Sequence, residues 1–411
     1  MSSSDSIIYR LKGDKVIWII VLILSLISIA AVYSSSSSLA FKENKSTMDF
    51  LLRQTRFVVF GLTALYICYR IPMGWYRSLA YIGLVLSAVL LVLTIVVGSR
   101  YNDAERWLRV FGLSFQPAEI AKIAIVLYLS KILEDRKFET FKEFFWAVIF
   151  PLGGVILLII NGSISTGILI TAVSLIIFII AGIKWMHLLK SAGLAIIAVV
   201  FIVLLNMAFG IFSRVDTAVN RIKNFNKEHT IEESLSAEDR QKILDKTYQA
   251  DMARIAVASS GILGKGPGNS TQRNVLPHPY SDFIYAIIIE EWGLAGGLLV
   301  LMLYIWFFSR CIMLARACTK TFTTLVVLGL AILITSQAML HICVNVGLLP
   351  VTGHTLPLIS LGGTSLVIMS GAFGIILSVS RSVEIVKEKG EGVKEKGESS
   401  AQTNQEEEVE R

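Results

Sequence analysis

The sequence is poor in the residues that cross-link small domains or hold metal ions. Its 411 residues include only four cysteines and five histidines. The cysteines form neither a CxxC pair nor a disulfide-like spacing, and the histidines form no HExxH-type motif. These absences argue against a disulfide framework and against a zinc site built by the protein. No internal repeat of fixed period is present either, which weakens the case for an inverted-repeat transporter.

Charge is also scarce, because charged residues make up 17% of the chain and hydrophobic residues 54%. Several uninterrupted apolar runs approach 20 residues, the length that an α-helix needs to cross a bilayer. Lipid offers backbone groups no hydrogen-bond partner, so these runs must be helical. The first run, Val16–Tyr33, is too long for a signal-peptide core, and we interpret it as a retained span. The composition predicts an all-α, polytopic membrane protein.

We predict about ten transmembrane helices within one domain, residues 1–385. Ten spans put both termini on one side, and lysines and arginines flank the spans mainly on that side, which marks it as cytoplasmic. The net charge of +7 suits an anionic membrane surface, and we expect no nucleic-acid partner. The expected spans are 16–34, 55–71, 78–98, 117–133, 144–160, 166–183, 187–211, 283–308, 321–348 and 363–382.

Two segments lie outside this helical pattern. A large extracytoplasmic loop, 211–282, separates the seventh and eighth helices and carries amphipathic stretches at 216–226 and 238–258. Long loops with structure of their own are usually functional. The charged tail, 386–411, has little to bury and is expected to be a disordered cytoplasmic segment.

Three acids around the eighth span are the most informative feature. Asp282 stands where a polar loop meets an apolar helix, and Glu290 and Glu291 follow inside that helix. A helical rise of about 1.5 Å per residue places the two glutamates roughly 12–14 Å beyond Asp282, near the middle of the hydrocarbon core. Carboxylates at such depth are costly and suggest a functional site.

The acids have different expected roles. Asp282 is either the N-cap of its helix or a general base at the membrane–water boundary, where partial desolvation raises a carboxylate's pKa. We expect Glu290 and Glu291 to be structural carboxylates, either hydrogen-bonded or protonated, on a helix whose glycines permit close packing.

Cationic residues before and within the fourth span form a second group. Glu119 and Lys122 are three residues apart and share a helix face, so they can form an internal ion pair. Alternatively, Lys122 acts with Arg106 and Arg109 to bind an anionic headgroup at the outer surface.

The long loop and a later segment supply two further candidates. The glycine-rich run that contains Lys265 and Ser270 can cradle phosphate, as can Arg221 and Arg254 nearby, although glycine clusters often only make turns. Two prolines and four glycines interrupt apolar sequence in 347–365. Such irregular backbone survives at membrane depth only where it lines a cavity or is buried in protein.

Three motifs in register give a specific resemblance. They are WLRVFGLSFQPAEIAK from Trp107, GKGPGNS with LPHPYSDFIYAIIIEEWG from Gly264, and GLLPVTGHTLPLISLGGTS from Gly347. Over about residues 10–385 the chain resembles the SEDS family (shape, elongation, division and sporulation). The resemblance implies a ten-helix peptidoglycan glycosyltransferase of the bacterial inner membrane that polymerises lipid II. Its catalytic aspartate, before the eighth helix, matches Asp282.

The resemblance also implies partners and a cellular role. GPGNS at 266–270 and Thr355 are more similar to the division branch (FtsW) than to the elongation branch (RodA). This favours a septal enzyme that works with a class B penicillin-binding protein and other division proteins. The departing diphosphate needs positive charge, from the cations named above or from a bound Mg²⁺ or Mn²⁺. An elongation polymerase, a lipid II flippase and a scaffold remain alternatives.

Three departures from the family pattern stand out. Ser163 replaces an aspartate, His341 stands where many relatives have asparagine, and 103–105 replaces a common glycine–alanine pair. The first leaves the role of the family's acid open. We expect none of the three to contact the region of Asp282.

Overall fold

The computed structural model describes residues 12–36, 46–97, 99–101, 104–110, 113–209, 237–276 and 279–409. Helices account for most of them, joined mainly by short turns. Residues 145–149 within α5 are a π-helical segment. The helices are α1 (Lys15–Ser35), α2 (Thr47–Arg70), α3 (Met73–Val97), α4 (Pro117–Asp135), α5 (Phe141–Gly162), α6 (Ile164–Ile180), α7 (Trp185–Phe209), α8 (Ala237–Ala258), α9 (Ile284–Ala317), α10 (Thr321–Asn345) and α11 (Thr364–Val409), with a 3₁₀ turn at Gln272–Asn274.

A helix lies at each of the ten predicted spans, which confirms the all-α membrane architecture. Among the described residues, seven helices are long and apolar enough to cross a bilayer. These are α1, α2, α3, α5, α9, α10 and the first part of α11, whereas α6 is shorter and α4 carries more charge. The number of membrane crossings therefore stays a prediction.

The loop and the tail differ in part from expectation. Helix α8 coincides with the amphipathic stretch predicted at 238–258, whereas the stretch at 216–226 lies outside the described residues. Helix α11 continues to Val409, through the tail for which we predicted disorder. Lysines and glutamates three or four residues apart recur there, a spacing that stabilises a helix.

A small sheet between α3 and α4 was not predicted. Strands β1 (Ser99–Tyr101), β2 (Ala104–Val110) and β3 (Leu113–Phe115) pair antiparallel in the order β1-β2-β3. The register places Leu108 opposite Phe115 and Arg109 opposite Ser114. The Thr364 hydroxyl donates to the carbonyl oxygen of Ser114 at 2.9 Å, and so joins the sheet to the start of α11.

The two ends of the bundle differ in their contacts. At the end that we call the basal end, Asp14 caps α1 and accepts hydrogen bonds from Arg310 at 2.7 and 3.0 Å. There Arg77 pairs with Glu134 at 2.9 Å, and Glu134 also accepts from the Phe322 amide. The other end, which we call the loop end, carries the sheet, α8, residues 259–276 and 279–283, and the irregular segment 346–363.

Between the two ends, the helices pack closely against one another. A side chain on Gly374 of α11 would lie 2.3 Å from the carbonyl oxygen of Leu65 in α2, so these backbones are in direct contact. A side chain on Gly329 of α10 would lie 2.6 Å from Val126 of α4. Small residues at such crossings permit the close approach on which association in lipid depends.

Candidate active site

Asp282 lies in the turn that enters α9, at the loop end of the bundle. The N-cap position is Phe283, and the helix has no side-chain cap, so the N-cap prediction for Asp282 is wrong. Its carboxylate is partly exposed and accepts a hydrogen bond from the Ser281 hydroxyl at 3.0 Å. A side chain added to Gly353 would lie 4.0 Å from Asp282 Oδ2, which places segment 346–363 directly beside the carboxylate.

Three backbone carbonyls hold this turn in place. The Leu361 amide donates to the Tyr280 carbonyl at 2.9 Å, and the Ser360 hydroxyl donates to the Ser281 carbonyl at 2.8 Å. The Asn345 side chain donates to the Asp282 carbonyl at 3.1 Å. The carboxylate therefore projects from a turn that is fixed on both sides, and the residue as a whole is partly exposed.

One face of α10 connects this turn to the neighbouring irregular segment. Gln337, His341 and Asn345 are spaced four residues apart and are all buried, and we call them the polar face. Gln337 Nε2 donates to the Thr355 carbonyl at 3.0 Å. His341 Nδ1 lies 2.7 Å from the carbonyl oxygen of His354; since a carbonyl only accepts, Nδ1 carries the proton.

The polar face also reaches Lys122. This lysine is fully buried, and its Nζ donates to Glu119 at 2.9 Å and to Gln337 Oε1 at 2.6 Å. The ion pair that the sequence suggested between Glu119 and Lys122 is present. The second oxygen of Glu119, Oε2, is buried without a hydrogen-bond partner among the described residues.

Helix α9 is broken at Gly293, and a loop segment fills the break. Gly293 has φ 72° and ψ −175°, a conformation open essentially only to glycine. The amides of Leu294 and Ala295 donate to the carbonyls of Gly261 and Ile262, not to their own helix. In exchange, the Glu290 and Glu291 carbonyls accept from the amides of residues 265 and 266, each at 2.9 Å. The glycine-rich loop is thus joined to α9 through its backbone.

The side chains of Glu290 and Glu291 hold the same loop. Glu290 is fully buried and accepts from Lys265 Nζ at 2.6 Å, from the Ser270 hydroxyl, and from both the amide and the hydroxyl of Thr271 at 3.1 and 2.8 Å. Glu291 accepts from the Ser34 hydroxyl at 2.5 Å, and the same hydroxyl accepts from the Gly268 amide at 3.0 Å. Glu290 therefore joins the glycine-rich loop to α9, and Glu291 joins α9 to α1 and, through Ser34, to the same loop.

Comparison with known proteins identifies the family of this chain. Residues 14–385 match the family FtsW/RodA/SpoVE, described as "Cell cycle protein". The chain belongs to this family. Stage V sporulation protein E of Bacillus subtilis (strain 168) is 30% identical over 378 residues, which cover 90% of this chain and 98% of that protein.

Other members of the FtsW/RodA/SpoVE family give the same picture. A protein named "Probable peptidoglycan glycosyltransferase FtsW" from Enterococcus hirae is 30% identical over 93% of this chain and 96% of its own. Its namesake in Geobacter sp. (strain M18) is 29% identical, with 90% and 98% covered.

Two solved structures share the fold. One is described as "Structural coordination of polymerization and crosslinking by a peptidoglycan synthase complex" and has a TM-score of 0.71, 23% identity and coverage of 90% of this chain and 98% of that one. The other is Thermus thermophilus RodA, with a TM-score of 0.63, 24% identity and coverage of 91% and 98%.

Among the described side chains, the predicted cations of this FtsW/RodA/SpoVE member each have a different acidic partner. Lys265 pairs with Glu290, and its side chain is 29% exposed. Arg254 lies 3.4 Å from Asp251 and packs against Gly347, at the start of segment 346–363. Arg106 and Arg109 lie on β2, and their side chains, like the whole of Arg221, are outside the described residues. Their roles as substrate ligands remain predictions.

Ser163 lies at a separate cleft of this family member. The cleft lies between α3, α4 and α5, and its polar lining includes Thr94, Gln116 and Ser163. The Ser163 hydroxyl caps α6 by accepting from the Thr166 amide at 3.3 Å. In this chain, therefore, Ser163 begins a helix in the place of the family's acid.

One expectation about the departures is wrong. His341 donates to the His354 carbonyl, and the preceding residue, Gly353, lies beside Asp282 Oδ2, so His341 does contact the surroundings of Asp282. We also missed the roles of Gln337 and Asn345. The available signal was three polar residues at helical spacing within an otherwise apolar span, which must face protein and not lipid.

Proposed function

We propose that this protein is a peptidoglycan glycosyltransferase that polymerises lipid II into glycan strands. The observation that carries the proposal is the position of Asp282, a partly exposed carboxylate held at the loop end beside segment 346–363, in a chain that matches its family over residues 14–385. Relatives at about 30% identity bear the name of this activity.

In the proposed reaction, the acceptor's sugar hydroxyl attacks the anomeric carbon of the donor. Asp282 takes the hydroxyl proton as the new C–O bond forms, which is worth about 10²–10⁴-fold in rate. The bond from the anomeric carbon to the diphosphate breaks, and its electron pair leaves with undecaprenyl diphosphate. Attack from the opposite face inverts the anomeric centre and converts an α-linked donor into a β-linked polymer.

The charge that develops on the leaving diphosphate requires cations. Three arginines lie on elements that border segment 346–363. Arg254 lies beside Gly347. Arg106 and Arg109 lie on β2, which β3 joins to Thr364. Lys122 forms an ion pair with Glu119, and Lys265 forms one with Glu290. We therefore expect these two lysines to act on the diphosphate through their electric field and not by direct contact.

A divalent cation would supply the same positive charge. The described residues include no group of three or more His, Cys, Asp or Glu side chains close enough to hold a metal ion. The fit to a resident metal is therefore poor, and an Mg²⁺ or Mn²⁺ ion would enter with the substrate's diphosphate, which supplies ligands of its own.

We propose that the protein lies in the bacterial inner membrane, with both termini on the cytoplasmic side and the loop end on the opposite, outer side. Positive residues flank the spans at the basal end, as expected for a cytoplasmic side. The prenyl chain of lipid II then stays in the outer leaflet while its sugars reach Asp282. The cations at the basal end include Lys15, Arg70, Arg77, Arg136, Lys137, Lys142, Arg310, Arg316, Lys320 and Arg381.

We assign the protein to septal synthesis with a class B penicillin-binding protein and other division proteins as partners. The GPGNS segment and Thr355 support the division branch, and FtsW-named relatives agree. A related fold occurs in a structure described as that of a peptidoglycan synthase complex. Midcell localisation of the tagged protein supports this assignment, whereas side-wall localisation favours the elongation branch.

A lipid II flippase is the second candidate, because the buried Lys122–Glu119 pair would also suit a transporter. The test uses purified protein, labelled lipid II and a partner transpeptidase. A polymerase yields glycan strands that lysozyme digests. A flippase yields only lipid II moved between the leaflets of a proteoliposome, and that result without any polymer would overturn the proposed function.

A further inference from the structure

The polar face of α10 makes three similar contacts with irregular backbone. Gln337 donates to the Thr355 carbonyl, His341 donates to the His354 carbonyl, and Asn345 donates to the Asp282 carbonyl. Buried polar side chains in a span are costly unless they are satisfied. Here each of the three side chains donates to a backbone carbonyl that accepts no hydrogen bond within a helix or strand.

These contacts lie on both sides of the Asp282 carboxylate. Asn345 fixes the peptide from which Asp282 projects, and its Oδ1 accepts from the Ala286 amide at 3.1 Å in the first turn of α9. His341 fixes the peptide between His354 and Thr355, one residue beyond Gly353, which lies beside Asp282 Oδ2. A single rigid helix therefore sets the separation between the carboxylate and the backbone that faces it.

Residues 341 and 345 are also joined to each other. Asn345 Nδ2 donates to the His341 carbonyl at 2.8 Å as well as to the Asp282 carbonyl. Both side chains are almost completely buried, at 1% and 0% exposure. Hydrogen bonds between buried groups are strong in such a low-dielectric interior, and together they hold the local geometry.

We propose that His341 and Asn345 are positioning residues for Asp282. This inference rests on the proposed function, in which Asp282 is the general base. Loss of either contact lets the carboxylate or the opposing backbone shift, and a displacement of about 1 Å at a reacting group can cost roughly 100-fold in rate. The substrate's binding contacts are untouched, so the loss falls on kcat and not on KM.

The first test is steady-state kinetics on lipid II. Asn345→Leu removes both donors and the acceptor for Ala286, and we expect kcat to fall about 10–100-fold with KM changed less than about threefold. His341→Leu has a similar but smaller effect. His341→Asn keeps a donor near the Nδ1 position and restores most of the rate. Thr335→Val, on the same helix but outside the polar face, is the matched control and retains wild-type kcat.

The second test does not depend on activity. Hydrogen exchange of the whole protein in nanodiscs reports on peptides covering 279–288 and 351–362. Asn345→Leu should accelerate exchange in the first peptide, and His341→Leu should accelerate it in the second. His341→Asn and Thr335→Val should leave both peptides protected. Asn345→Ser, which is smaller and polar, replaces Asn345→Leu if the leucine variant does not fold.

The outcomes separate this inference from the proposed function. Unchanged exchange in both peptides, or equal loss of kcat in His341→Asn and His341→Leu, overturns the positioning roles. Accelerated exchange in a protein whose wild type makes no glycan supports the positioning roles and rejects the polymerase.

Discussion

The break in α9 makes Gly293 the position where a single methyl group should do the most damage. A Cβ at Gly293 would lie 2.1 Å from the Ile262 carbonyl oxygen and 2.5 Å from the Gly264 amide nitrogen. Both atoms are backbone, so neither can move aside by rotation of a side chain. Gly293→Ala must therefore push the loop out of the break or bend α9.

The cost follows from two contributions. Holding alanine at φ 72° costs about 1–3 kcal/mol. Displacing Ile262 also breaks the hydrogen bonds that Leu294 and Ala295 donate to the loop, and each unsatisfied amide costs about 1–3 kcal/mol. The sum is about 3–9 kcal/mol, which is a large share of the stability of a typical domain.

The assay is thermal unfolding of the purified protein in detergent, combined with limited proteolysis of residues 259–276. Gly153→Ala is the matched control, because a Cβ at Gly153 meets nothing within 4 Å in the middle of a helix. We expect the control to be neutral or stabilising by up to about 1 kcal/mol. Equal melting temperatures and equal protease resistance for Gly293→Ala and Gly153→Ala would refute this account of the break.

Three further substitutions test the ion pairs. Lys122→Met leaves Glu119 buried and unpaired and should cost about 3–5 kcal/mol in thermal unfolding, most of it recovered when Glu119→Leu is added; no recovery would contradict the pairing. Glu290→Leu removes the acceptor of Lys265 Nζ and of the loop amides, so residues 265–272 should become protease-sensitive, whereas the exposed Glu139→Gln should behave as wild type. Asp14→Ala loses a helix cap and the Arg310 pair, which should lower stability by about 1–3 kcal/mol, and an unchanged melting temperature would show that neither contact matters.

Much of this fold can be predicted from the sequence, because backbone groups in lipid must form their hydrogen bonds within helices. Every apolar run had to be helical, and Pro117 at the first turn of α4 and Ser163 before α6 lie at helix starts. The pair Glu119–Lys122 follows from helical spacing alone. These are local rules, and the structure agrees with them.

The parts that could not be predicted depend on contacts between distant residues. Glu290 and Glu291 are recognisable as acids within an apolar helix, but their partners Lys265 and Ser34 come from a loop and from α1. The sequence of the glycine-rich loop suggested a phosphate cradle. In the structure, the amides of Lys265 and Gly266 instead donate to the Glu290 and Glu291 carbonyls at the α9 break. The sheet in 99–115 was missed because its strands are at most seven residues long.

The central claim is that Asp282 removes the proton from the acceptor sugar, and its most direct test is the rate of glycan formation by Asp282→Asn. Asparagine matches aspartate in size but accepts no proton, so the rate should fall about 10²–10⁴-fold while the protein stays folded. Asp135→Asn, at the basal end, is the control and should retain the wild-type rate. Polymerisation by Asp282→Asn at the wild-type rate would contradict the account.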